Sequence, residues 1–173
     1  ADVQSRPWPA QLQLPASEDN IVSFRKAVEE TRGLAGAWKE GLQALGRSER
    51  SHVKCRDTRS LRGSVDIDTA LQPQFPNKNR WDYAIGYQHS GQNKETVYWL
   101  EIHPSSDSEV FVVLQKLEWL RSWLEGDGRK LATFQREFVW MSSGSTTFTN
   151  TSRQKRVLAQ KGIRHVGRTF SIS

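Results

Sequence analysis

Residues 80–88, RWDYAIGYQ, and residues 96–104, TVYWLEIHP, are the two stretches on which the fold turns. Both are dense in aromatic and β-branched side chains, the composition of a strand. Between them lies HSGQNKE, a polar connection, so the pair reads as a β-hairpin. Symmetry about Gly91 and Gln92 leaves a six-residue loop and sets Asp82 directly opposite Glu101. Small residues then meet large ones across the pair, Ala84 against Trp99 and Gly86 against Val97. Side chains alternate along a strand, so Asp82, Ala84 and Gly86 share a face with Val97, Trp99, Glu101 and His103. The other face, with Trp81, Tyr83, Ile85 and Tyr87 against Tyr98, Leu100 and Ile102, is continuously apolar and is the expected core.

Outward from the hairpin, residues 105–128 carry Val110, Val113, Leu114, Leu117, Leu120 and Leu124 on one helical face. The segment opens with a capping box, Ser106 and Glu109, and closes at Gly126 and Gly128. REFVWMSS, 136–143, reads as a buried strand followed by the polar loop GSTTFTN. SRQKRVLAQK, 152–161, is a short basic helix capped by Thr151 and Gln154, and HVGRTFSIS, 165–173, is a last strand. Towards the N-terminus, Phe24, Val28, Thr31, Ala35, Trp38, Leu42 and Leu45 recur at three- and four-residue steps. That stripe predicts an amphipathic helix from Ser17 to Gly46. A strand is expected over 52–58, then a long irregular stretch with Gly63, Pro73 and Pro76. The order αβββαβαβ predicts an α/β fold, a central mixed sheet flanked by helices. The first 16 residues hold three Pro and read as an extended arm, with one domain over 17–173.

A chain of 173 residues with seven Trp, seven Phe and three Tyr is long and aromatic enough to bury a core. No apolar run approaches the roughly 18 residues of a membrane span. The N-terminal stretch lacks the basic and apolar regions of a signal peptide. One cysteine, Cys55, excludes an internal disulfide and any CxxC metal site, and a cytoplasmic setting is expected. Residues 129–173 hold nine Lys or Arg against Glu137 alone, whereas residues 1–128 hold 16 against 18 acids. A second basic stretch, 47–63, carries six Lys or Arg against two acids. Clustered positive charge attracts polyanions, which points to nucleic acid, DNA or RNA, held by Arg153, Lys155, Arg156, Lys161 and Arg164. An ordinary solvated basic surface is the plainer alternative.

Like charges directly opposite on a sheet destabilise it. A chain keeps the Asp82–Glu101 pair where a cation binds or where Lys or Arg neutralises it. Mg²⁺ takes one or two carboxylates together with water and phosphate oxygens. Other candidates are weaker. Cys55, beside Lys54 and Arg56, would have a lowered thiol pKa if exposed, but has no partner motif. His52, His89, His103 and His165 lack ligand spacing, and Gly33, Gly36 and Gly41 form no phosphate loop. Asp66 and Asp68 alternate on a possible strand from which they could reach the cation, but read rather as loop-lining, and Trp8 is a candidate for base stacking.

The order αβββαβ, an Asp on one central strand and a Glu-x-(basic or polar) on the next resemble the PD-(D/E)XK nuclease superfamily, the restriction-endonuclease-like fold, over residues 17–141. The resemblance implies Asp82 and Glu101 as ligands of Mg²⁺ or Mn²⁺, with His103 where the family has a water-activating Lys. It also implies an acidic contribution from the first helix, Glu29 or Glu30. QKLEW is similar to the Q-x-x-x-aromatic signature of the exonuclease branch, through Gln115 and Trp119, and Lys116 is a candidate displaced catalytic amine. Two departures stand out: no Pro precedes Asp82, and His103 replaces Lys. The activity expected is metal-dependent cleavage of nucleic acid. The rivals are an inactive module of the same fold that binds nucleic acid or protein, and a basic interaction protein with structural carboxylates.

Overall fold

The structure is a computed structural model and describes residues 21–146, 148 and 152–173. The expected arm over 1–16, Trp8, the helix start at Ser17 and the capping Thr151 lie outside these residues. Ser23 accepts the Lys26 N–H and starts α1, Phe24–Glu29. The helix expected to reach Gly46 stops here. Gly33, Gly36 and Gly41 take φ of +87°, +79° and +54°, a conformation open to glycine and foreign to a right-handed helix. The chain therefore runs through turns, and Trp38–Lys39 forms a short strand, β1. Phe24, Val28 and Thr31 are buried as the stripe requires; past them the helical spacing has no helix beneath it.

Arg47–Arg50 is a single helical turn, α2, and Val53–Cys55 is β2, inside the strand expected over 52–58. The stretch expected to be irregular holds β3, Leu61–Asp66, and α3, Ile67–Leu71, whose first turn is capped by the Asp66 carboxylate. The hairpin strands are β4, Tyr83–Tyr87, and β5, Thr96–Ser105. The helix α4 spans Asp107–Glu125, but the Ser106 hydroxyl makes no capping bond, and the Glu109 carboxylate turns instead to His103. β6, Gln135–Thr146, runs on into the segment expected as a loop. α5, Arg153–Gln160, is capped by Ser152 rather than Thr151. The expected last strand divides into the end of β7, Ile163–His165, and β8, Phe170–Ile172.

Six strands form one mixed sheet in the order β1-β3-β4-β5-β6-β7, so the expected α/β class with a central mixed sheet holds. Pairing is antiparallel from β1 to β5 and parallel from β5 to β7, with α4 and α5 as the crossovers. The hairpin register pairs Tyr83 with Leu100, Ala84 with Trp99 and Gly86 with Val97, as the large–small pattern required. Gly86 is small for a further reason: a Cβ there would lie 2.5 Å from the Phe24 ring of α1.

Both sheet faces are core, not one. Val65, Ala84, Val97, Trp99, Phe138 and Trp140 pack against α1, α4 and α5 through Phe24, Leu117, Leu120 and Leu158. Tyr83, Ile85, Tyr98, Leu100 and Val139 pack against a second, two-stranded parallel sheet of β2 and β8. Trp81 precedes β4, where strand alternation no longer binds it, and joins the helix-side cluster edge-on to Phe138 at 6.2 Å. No helix among the described residues is long and apolar enough to cross a membrane.

Candidate active site

Asp82 sits one residue before β4, where its backbone carbonyl accepts the Ile67 and Asp68 N–H groups at 2.9 and 3.3 Å. Its Oδ2 accepts the Ile102 N–H of β5 at 2.9 Å. Glu101 points from β5 into the helix side of the sheet and is fully buried. Lys116, on the facing side of α4, donates from Nζ to Asp82 Oδ1 at 3.3 Å and to Glu101 Oε1. The two carboxylates expected side by side are thus gathered on one ammonium, and Lys116 is the neutralising partner that such a pair demands.

Burial raises the Glu101 pKa well above the ordinary value, the Asp82 charge raises it further, and Lys116 offsets only part. Asp82 is raised by burial, against the opposing pull of Lys116 and the Ile102 N–H. Burial alone would lower the Lys116 pKa; the Glu101 and Asp82 charges outweigh it, and the net shift is upward. The ammonium is therefore a fixed positive charge at neutral pH.

Glu101 Oε2 is buried without a hydrogen-bond partner, an orphaned acceptor of the kind a cation or a bound water satisfies. Among the described residues no group of three or more His, Cys, Asp or Glu side chains gathers to hold a metal. A cation held by the pair would draw its other ligands from water and phosphate, since the described residues form no closed all-protein site.

His103 lies beside the pair, its Nε2 at 2.5 Å from Glu109 Oε2 and its Nδ1 at 3.8 Å from Glu101 Oε1. Its carbonyl accepts the Trp140 indole N–H at 3.0 Å. The acidic contribution expected from α1 does not arrive. Glu29 accepts the Gly36 N–H, and Glu30 pairs with Lys130 at 2.8 Å, both at the surface. Asp66 caps α3, and Asp68 pairs with Arg80 at 2.9 Å. Gln115 accepts from Asn79 at 3.2 Å, and Trp119 stacks on Trp123. The Cys55 thiol is raised, chiefly by burial, the opposite of the shift its basic neighbours suggest. His165 bonds Ser105 Oγ at 2.7 Å and is pulled down to about 4 by burial and by Lys155.

Of the basic residues named from the sequence, Arg153, Arg156, Lys161 and Arg164 are exposed and Lys155 is half-buried. Arg164 pairs with Glu137 at 3.2 Å, and the Lys161 carbonyl accepts from Arg121. The sequence reading missed how the two basic stretches meet. Parallel pairing of β2 with β8 sets Val53 beside Phe170. Arg47, His52 and Arg168 consequently line one cavity of about 520 Å³ with Ser142 and Ser143. Ile102, whose N–H holds Asp82, lines it too. Pairing between segments more than 100 residues apart leaves no local pattern to read. Compared with protein-family models, curated proteins and solved structures, the chain has no significant match in any of the three.

Proposed function

We propose that this chain is a nuclease-like domain of the PD-(D/E)XK type, a metal-dependent phosphodiesterase acting on nucleic acid in a reducing, cytoplasmic setting. The observation that carries the reading is the Asp82–Glu101 pair, half-buried and buried respectively, with one Glu101 oxygen unpartnered and Lys116 against both acids. An antiparallel β3-β4-β5 meander, followed by α4 and the parallel β6, supports the same reading. Asp82 and Glu101 would hold Mg²⁺ or Mn²⁺, which when bound polarises a phosphodiester and activates water.

The chain's own groups divide the remaining work. Lys116 stays protonated, so it stabilises charge on phosphate oxygens and is unfit as a general base. His103, hydrogen-bonded to Glu109, would orient the attacking water without supplying the positive charge that a Lys there brings to the transition state. The exposed cations of α5, Arg153 and Arg156, supply phosphate contacts. An inactive binding module is the second reading, favoured by the engagement of His103 with Glu109 and of Lys116 with both acids.

Incubation of labelled single- and double-stranded DNA and RNA with the purified chain in Mg²⁺ or Mn²⁺ separates the two readings. Cleavage that chelation stops and that Asp82→Asn and Glu101→Gln abolish is expected, with His103→Lys raising the rate. Binding without cleavage in either metal, unchanged by His103→Lys, supports the inactive module instead.

A further inference from the structure

A cavity of about 690 Å³ opens along α4, walled by Phe75, Trp119 and Trp123. Lys116, Trp119 and Trp123 recur at three- and four-residue steps and so share one helix face. At a rise of about 1.5 Å per residue, Trp119 lies roughly 5 Å and Trp123 roughly 10 Å along the axis from Lys116. The indoles of Trp119 and Trp123 stack at 6.1 Å with 13° between their planes, and Phe75 meets Trp119 edge-on at 5.7 Å. The turn after α4 closes on this pair, because Gly128 has only hydrogen where a Cβ would come within 2.6 Å of the Trp123 ring. Trp119 is part-exposed, whereas Trp123 is buried.

The polar lining is mostly amide. Asn77, Asn79 and Gln115 stand at the cavity with both donors and acceptors, and Asn79 already bonds Gln115. Glu118 and Asp127 also line it, against a single cation, Lys78. Two carboxylates disfavour a phosphate inside. Stacked rings with neutral amide donors and acceptors suit an uncharged, flat, hydrogen-bonding ligand.

We infer that this cavity receives an unpaired nucleobase, from the nucleotide next to the phosphodiester held at Asp82, Glu101 and Lys116, and that the chain prefers single strands. The inference rests on the nuclease-like reading and adds the substrate class to it. A base in a duplex keeps both faces stacked on its neighbours; an unpaired one stacks on aromatic side chains and presents its edge to amides.

Fluorescence anisotropy in EDTA tests this with labelled 12-mers of DNA and of RNA, the matching duplexes, and a 12-mer of abasic sugar-phosphate. Wild type should bind the single strands tighter than the duplex or the abasic strand. Trp119→Ala should weaken single-strand binding by roughly five- to hundredfold, the effect of losing one stacked base, and leave the abasic strand unchanged. Should Trp119→Ala unfold the chain, the double variant Asn79→Ala, Gln115→Ala alters only exposed side chains. It should erase differences in affinity among homopolymers of the four bases. Single-strand affinity within twofold of wild type in Trp119→Ala or, where that variant unfolds, homopolymer preferences unchanged in the double variant overturn the base pocket. If metal-dependent cleavage still requires Asp82 in that case, the nuclease reading survives without it. A wild type that binds none of the nucleic acids overturns both.

Discussion

Replacing Lys116 by methionine keeps the unbranched apolar stem of the side chain and removes the one positive charge between Asp82 and Glu101. The Lys116 side chain is 15% exposed and that of Glu101 fully buried, so water cannot take over the neutralisation. Removing one partner of a buried ion pair costs about 3–5 kcal/mol, because the charge left behind stays desolvated and unpaired. For a chain of this length, about 2–4 °C of melting temperature accompanies each kcal/mol, so thermal denaturation followed by circular dichroism at pH 7.5 should show a fall of roughly 6–20 °C. The loss should shrink at acidic pH, below the raised folded values of Glu101 and Asp82, where the carboxyls take up protons and need no partner. Adding Asp82→Asn and Glu101→Gln to Lys116→Met should restore most of the stability, since a fully neutral cluster leaves no buried charge. A fall of less than about 3 °C, or the same fall at both pH values, would refute the reasoning.

The raised carboxyls predict a pH dependence of their own. Glu101 and Asp82 bind protons more tightly in the folded chain, so their contribution is complete below their ordinary values of 4.5 and 3.8 and is lost as pH rises through the raised folded values. Urea midpoints of wild type should fall across that window, and those of Glu101→Gln should fall less. Gly63 has φ +103°, and a Cβ there would overlap the Trp38 indole and stand 2.7 Å from the Lys39 carbonyl. Gly63→Ala should cost at least the roughly 1–3 kcal/mol of a disfavoured backbone conformation, read from chemical denaturation. Changing Arg153, Lys155 and Arg156 to Gln should weaken nucleic-acid binding and flatten its salt dependence by roughly 0.9 in log–log slope for each duplex phosphate no longer neutralised. An unchanged slope would mark α5 as solvated charge.

The hairpin was legible because two independent patterns agreed on it. Period-two alternation set the faces, and Gly86 and Ala84 opposite Val97 and Trp99 set the register. The Asp82–Glu101 neighbourhood followed from that register. Lys116 was legible by resemblance as a displaced catalytic amine on α4, but its bridge between the two acids was not, since no sequence pattern aims a helix side chain at a particular strand. The first helix was misread because apolar spacing was allowed to outweigh three glycines, whose positive φ angles turn the chain after Glu29. Strand β3 reads from the sequence only as a possible strand at Asp66, because Gly63 and two charged residues weaken its local signal; its neighbours β1 and β4 define it. Glu109 was assigned to a helix cap from spacing alone, while in the fold His103 competes for its carboxylate and wins.

The central claim is that Asp82 and Glu101 together hold a divalent cation. Crystals soaked in Mn²⁺, with diffraction recorded at the manganese absorption edge, test it most directly. An anomalous peak against both carboxylates, absent from Asp82→Asn crystals grown and soaked in the same way, is the predicted result. Anomalous density confined to other sites, with Lys116 still bridging the two acids, would contradict it.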